Sequence, residues 1–341
     1  MIPSDIVLRD RFRGSLLWGA VGDALGCRVE GWAPGRIRER FGEEGLRHYI
    51  PWHGWREGPI GTITDDTQLT IEVARSLLAT NGRFRPHDFV TRLIAWLPIG
   101  RGKGRATTEA VEALGRGVPW WRISQIVDSA GNGAAMRAAP IGLLHAADAS
   151  PADLVHEAIL SALPTHTHPV GVAGAVAIAA GVAWSVQNAG AQEEPCDVRG
   201  CVGFISACLD GLEPEPTPER KPGGKTVRLS ERIRELPDFL DTPDPREVFA
   251  YIFNGAFALE SVPAALYCFL RSPDDPRQVI LTAVNAGRDA DSVASMAGNL
   301  VGAWCGAECL ARDEPEWWEQ LEYRDTLVSL ADGLADSAPR E

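Results

Sequence analysis

The chain of 341 residues carries 33 basic and 46 acidic side chains, a formal net charge of −13. That balance argues against non-specific binding to nucleic acid or to an anionic membrane, both of which need a basic footprint. A hydrophobic fraction of 45% with 23% charged residues excludes wholesale disorder. Seven cysteines, odd in number and without a Cys-x-x-Cys pair, fit neither a disulfide framework nor a zinc site and read as free thiols of a cytoplasmic protein.

In chain order, the N-terminal MIPSDIVLRDRFRG meets charge too early for a secretory leader. Apolar periodicity then predicts helices over roughly Arg9–Leu25, Leu69–Leu78, Pro86–Leu97, Thr107–Leu114 and Pro151–Leu163. Val170–Val186 is apolar throughout, but it is short for a membrane span and made largely of Ala and Gly, which points to a buried core helix. Further helices are predicted over Cys201–Leu212, Pro245–Phe269, Pro276–Val284, Val293–Trp304 and Pro315–Leu334, several opening on a proline whose missing N–H costs nothing in a first turn. Gly190–Pro195 and Glu213–Lys225 are rich in Pro, Gly and charge and read as surface loops. Sustained strand alternation is scarce. The expectation is an all-α fold in one compact many-helix domain over residues 9–335, monomeric, with a surface loop at 213–226.

Two acid clusters carry the chemistry. In Gly61-Thr-Ile-Thr-Asp-Asp-Thr67, Asp65 and Asp66 stand together between the hydroxyls of Thr64 and Thr67, just ahead of a predicted helix. Capping that helix needs one carboxylate, so a bound cation is the simplest compensation for two. In Asn285-Ala-Gly-Arg-Asp-Ala-Asp-Ser292, Asp289 and Asp291 again precede a helix, with Ser292 adding a hydroxyl. Oxygen-only ligands of this kind favour Mg²⁺, Ca²⁺ or Mn²⁺ over zinc. The remaining features are weaker. Gly19, Gly22 and Gly26 share a face of the first helix, as close helix packing would require. The turns Gly100–Thr108 and Gly131–Arg137 offer either phosphate-binding N–H groups or plain turns. His166 and His168 suit hydrogen bonding to a ligand or to a helix start better than metal ligation.

Taken in order from Arg13 to Cys309, the segments GSLLWGAVGDALGCRVEGW, GPIGTITDDTQLT, GRGKGRATTEA, GNGAAMRAAPIGLL, THTHPVGVAGA and NAGRDADSVASMAGNLVGA resemble the ADP-ribosylglycohydrolase family. The resemblance implies an all-α fold around two divalent cations, Mg²⁺ or Mn²⁺, and hydrolysis of the glycosidic bond at C1 of the distal ribose in ADP-ribosylated protein or small-molecule substrates. By position, Thr64, Asp65 and Asp66 would hold one ion, Asp289 and Ser292 the other, and Asp291 both. Glu30 falls where many members place a glutamate near the scissile ribose, so that Glu30, Asp66 and Asp291 are the implied catalytic set. Gly131, Asn132, Gly133, Ala134 and Ala135 match the diphosphate-binding loop, and His166 and Gly102 fall at substrate-binding positions. The family pattern Gly-Gly-Asp-Thr-Asp-Thr reads Gly287-Arg-Asp-Ala-Asp-Ser292 here, so that Arg288 would set a cation beside the ions. Trp52, His53 and Trp55 are candidates to shape the aglycone side or to pack. Two other readings remain open at this point: a two-metal phosphohydrolase of a nucleotide-like substrate, and a non-catalytic ADP-ribose-binding module.

Overall fold

The computed structural model describes residues 5–51, 58–146, 151–189, 195–220 and 224–338. Helices α1 (Asp5–Gly26), α2 (Pro34–Phe41), α3 (Asp65–Ala79), α4 (Pro86–Trp96) and α5 (Arg105–Gly115) come first. They are followed by α6 (Ala139–Leu144), α7 (Pro151–Ala162), α8 (Pro169–Asn188) and α9 (Val198–Cys208). A minimal antiparallel hairpin, β1 (Thr217–Pro218) with β2 (Thr226–Val227), is the only sheet among the described residues. Beyond it lie α10 (Leu229–Arg234), α11 (Pro245–Ile252), α12 (Ala258–Arg271), α13 (Pro276–Asn285), α14 (Ala290–Cys305), α15 (Glu308–Asp313), α16 (Pro315–Gln320) and α17 (Arg324–Ser337). The fold is all-α.

Two predicted helices are each broken once. The stretch from Pro245 divides at Phe253, with φ of 64°, and the stretch from Pro315 divides at Tyr323, with φ of 59°. A left-handed residue cannot continue a right-handed helix. The short α2, α10 and α15 escaped prediction because one or two turns are too brief to display a period.

The core is organised by α1 and α14, which run antiparallel at a separation that only glycine permits. A Cβ on Gly22 would lie 2.1 Å from the Ala294 carbonyl oxygen, and one on Gly26 2.4 Å from that of Ala290. From the other side, a Cβ on Gly302 would lie 2.1 Å from the Gly14 oxygen. The glycine stripe is therefore a packing surface, and it sets the end of α1 against the start of α14. Gly302→Ala is expected to destabilise the protein by about 3 kcal/mol, because the obstacle is backbone that cannot rotate aside. Urea denaturation of the variant checks this.

Helix α8 is long and apolar enough to cross a membrane, yet it is buried in the core against α6, α7, α9 and α14, as the composition of its sequence implies. Trp184 on α8 stacks on Trp304 of α14, with ring centroids 5.8 Å apart and planes within 5°. All seven cysteines are free thiols.

The charged stretch from Glu213 is mostly exposed or half-buried among the described residues, but two of its acids turn inward. Its Glu213 carboxylate is buried and accepts the Leu229 N–H at 2.9 and 3.0 Å, and Glu219 forms a buried ion pair with Arg232. Charge that is paired and hydrogen-bonded can enter the interior, which composition alone does not reveal. Residues 221–223 of this stretch, and 190–194 of the other predicted loop, lie outside the described residues.

Candidate active site

The first acid cluster occupies the opening turn of α3 rather than the loop before it. Its helix start is capped from a distance. Asp23, fully buried on α1, accepts the Thr64 and Thr67 N–H groups at 2.9 and 3.1 Å and their hydroxyls at 2.7 and 2.6 Å. With the cap supplied by α1, Asp65 and Asp66 are released from that duty. Sequence reasoning missed Asp23, although a carboxylate in the apolar run LLWGAVGDALG was its signal.

The second cluster opens α14 in the same manner. Asp289 stands at the N-cap, and its side chain caps nothing. Instead, its Oδ2 accepts a 2.5 Å hydrogen bond from the Asn132 side-chain amide. The break between α11 and α12, also unanticipated, fastens this loop: the Asn254 side-chain amide donates to the Gly287 carbonyl at 2.7 Å, and the Asn254 backbone carbonyl accepts the Asp289 N–H at 3.2 Å. The adjacent backbone secures the glycine turn, since Asn132 N–H donates to Ala256 O at 3.0 Å and Ala258 N–H to Ala130 O at 2.9 Å. Asn254-Gly255, a turn signal inside an apolar run, marked the place.

Arg288 does not place its charge among the acids. Its φ is 57°, the left-handed conformation that explains a glycine in the family pattern at this position. Its guanidinium lies 3.8 Å over the Phe253 ring and donates to the Asn254 side chain at 3.1 Å. It does not line the cleft onto which the acids open.

Both clusters face one cleft of about 870 Å³, counted with its open mouth, lined by Glu30, Asp65, Asp66, Asp289, Asp291 and Ser292. Burial pushes the carboxyls of Asp65, Asp66 and Asp291 well above the usual range, and repulsion from neighbouring acids adds to it. Asp66 is repelled by Asp23, Asp65 and Asp289, and Asp291 by Glu30, Asp66 and Asp289. The Asp289 carboxyl is raised by burial to about 7, with the Asn132 amide drawing it back. Among the described residues, none of Asp65, Asp66, Asp289 and Asp291 forms an ion pair. Asp66 Oδ1 is buried without a hydrogen-bond partner. Carboxylate oxygens of Glu30, Asp289 and Asp291 lie within 4.8 Å of one another. An orphaned buried oxygen beside a tight carboxylate triplet fits hard divalent cations, which take oxygen ligands at 2.0–2.6 Å, roughly. Glu30 thus belongs to the same carboxylate group as Asp289 and Asp291, closer than its position in sequence indicates.

The other predicted residues divide. Gly102, Gly131, Asn132, Gly133 and His166 line the cleft; Ala134 and Ala135 are wholly buried beneath it. Thr64 is likewise buried, with its hydroxyl bonded to Asp23 and, at 3.2 Å, to Asp66. The glycine turn spends two of its amides locally, Gly131 N–H on the Ser129 hydroxyl and Asn132 N–H on Ala256. Of the cations in the Gly100–Thr108 turn, Arg101 pairs with Glu322 and Lys103 donates to Leu97 O; only Arg105 lines the cleft. A second cation arrives from the charged stretch, Arg220, whose guanidinium rests 4.4 Å from the Phe257 ring centroid. His168 caps α8, accepting the Val170 N–H at 3.2 Å. Trp52, His53 and Trp55 lie outside the described residues.

Comparison with known proteins agrees with this architecture. An uncharacterized protein of Archaeoglobus fulgidus is 33% identical over 329 residues, covering 96% of each chain. The ADP-ribosylhydrolase ARH3 of Xenopus tropicalis is 28% identical over 350 residues, 91% of this chain and 94% of its own. A solved structure described as an ADP-ribosylglycohydrolase-related protein complex aligns with a TM-score of 0.70 at 27% identity, over 97% of this chain and 99% of that one. The ADP-ribosylglycohydrolase profile matches residues 4–341, and the chain accordingly belongs to the ADP-ribosylglycohydrolase family.

Proposed function

We propose that the cleft hydrolyses the bond at C1 of the distal ribose in ADP-ribosylated protein or small-molecule substrates and releases ADP-ribose. The observation that carries this reading is the unpartnered Asp66 oxygen, buried in one cleft with Asp289 and Asp291 from the far end of the chain. Thr64, Asp65 and Asp66 are assigned to one divalent cation, Asp289 and Ser292 to a second, and Asp291 to both. These residues would hold Mg²⁺ or Mn²⁺, which when bound would supply Lewis acidity toward the ribose hydroxyls and toward water. Glu30, within the carboxylate triplet, orients the scissile ribose and takes a proton from the water whose oxygen bonds to C1 as the bond from C1 to the aglycone breaks, returning that proton to the leaving group. Positive charge developing at C1 is stabilised by the surrounding carboxylates.

An anionic ligand in an acidic protein needs local donors. Arg220 supplies one: it lines the cleft with its guanidinium 4.4 Å from the Phe257 ring centroid, and its N–H groups suit phosphate oxygens. Arg220→Ala is expected to raise KM by roughly tenfold or more, as loss of a charge-assisted hydrogen bond does, with kcat nearly unchanged. Steady-state kinetics resolve the two parameters.

The reading is tested by incubating the purified protein, with and without Mn²⁺, with arginine-, serine- and acetyl-linked ADP-ribose and separating the products. Metal-dependent appearance of free ADP-ribose supports it. AMP as the product would assign a phosphohydrolase, and binding without turnover a recognition module.

A further inference from the structure

Behind the cleft wall, a chain of buried side chains ends on a histidine that lines the cleft. Arg137 is completely buried, with its guanidinium 5.0 Å over the Phe89 ring. Its terminal nitrogen donates to the Ser161 carbonyl at 3.1 Å and to the Thr165 hydroxyl oxygen at 2.6 Å, while Nε and the other terminal nitrogen have no partner. The Thr165 oxygen lies 2.9 Å from His166 Nδ1. The imidazole lines the cleft, 2% exposed, against the glycine turn: a Cβ on Gly133 would lie 2.7 Å from His166 Cε1 and 3.0 Å from Nε2. Among the described residues, no hydrogen bond engages Nε2.

We propose that Arg137 and Thr165 are positioning residues that hold His166 as the tautomer protonated on Nε2, so that a neutral ring presents an N–H donor to an anionic oxygen of the ligand. Arginine only donates, so the Thr165 oxygen accepts from it and has its single hydrogen left to give. Of the two acceptors in reach, His166 Nδ1 at 2.9 Å is much nearer than the Ala162 carbonyl at 3.5 Å. Nδ1 therefore accepts, and the ring proton resides on Nε2. The same order follows from charge, because a lone pair rather than an N–H faces the buried guanidinium. Burial and that guanidinium together lower the His166 pKa to about 3, so the ring stays neutral across the physiological range. Two amides of the glycine turn are already spent, and a donor from His166 supplies what the turn lacks. The ligand half of this inference rests on the ADP-ribose reading; the tautomer half does not.

The experiment uses the full chain with Mg²⁺. Nitrogen-15 NMR of the His166 ring reports the tautomer, and calorimetry reports ADP-ribose binding, for the wild type, Thr165→Ser and Thr165→Val. Expected are an Nε2–H tautomer unchanged from pH 5 to 8 in the wild type and in Thr165→Ser, mixed tautomers in Thr165→Val, and ADP-ribose affinity about tenfold weaker in Thr165→Val alone. A wild-type ring protonated on Nδ1 overturns the proposal without reliance on any variant, as does a Thr165→Val protein with unchanged tautomer and affinity. Should the wild type bind no ADP-ribose while keeping the Nε2–H tautomer, the functional reading fails and the relay stands.

Discussion

Asp66→Asn lowers metal-dependent release of ADP-ribose by roughly 10²–10³-fold or more, the scale on which a preorganised electrostatic contact to a transition state is lost. In EDTA the variant melts no lower than the wild type. Both expectations come from the same geometry. The Asp66 carboxylate has one buried oxygen without a partner and is repelled by Asp23, Asp65 and Asp289, so its charge burdens the metal-free protein. That arrangement is advantageous only when a cation occupies the cleft. Asp291→Asn should behave alike, and the double variant should be little worse than either single one, because residues that serve one centre are not additive. Turnover near the wild-type rate in either single variant, measured in Mn²⁺, contradicts the assignment.

Withdrawing divalent cations lowers the melting temperature, and the loss is larger at pH 8 than at pH 5.5. The Asp289 carboxyl is displaced from 3.8 to about 7 by burial, and Asp65, Asp66 and Asp291 are displaced in the same direction. Between those values the folded protein binds more protons than the unfolded chain. Stability of the metal-free protein is therefore fully present below the unfolded pKa and falls as pH rises through the folded one. From pH 5.5 to about 7 the displacement of Asp289 alone is worth on the order of 2 kcal/mol, which corresponds to a few degrees of melting temperature. At pH 8 the acids are ionised and a divalent cation takes the place of the protons. Melting curves with Mn²⁺ and with EDTA at the two pH values measure the difference. A gap independent of pH would show that these carboxyls do not face the cation.

Much of the fold could be read from local pattern. Helices α1, α3, α8 and α14 are long enough to repeat their apolar spacing, and the glycine interval on α1 anticipates its close approach to α14. The two acid clusters were legible because their doubled carboxylates exceed what a helix cap needs. What escaped reading depends on distant partners. Asp23 acts 41 residues from Thr64, and no local rule connects a carboxylate on one helix to the amides of another. The turn at Tyr323 interrupts an apolar run whose period gives no warning, and the turn at Phe253 is announced only by the dipeptide Asn254-Gly255. Arg220 reaches the cleft because Glu219 and Glu213 are held in the interior by Arg232 and the Leu229 amide, which a composition rich in Pro and charge conceals.

Helix starts from opposite ends of the chain are expected to seat divalent cations in one cleft. Anomalous diffraction from crystals grown with Mn²⁺ tests it most directly. Two manganese peaks are expected, one against Thr64, Asp65 and Asp66 and one against Asp289 and Ser292, with Asp291 between them. A fully occupied manganese site elsewhere, with none in this cleft, would contradict the account.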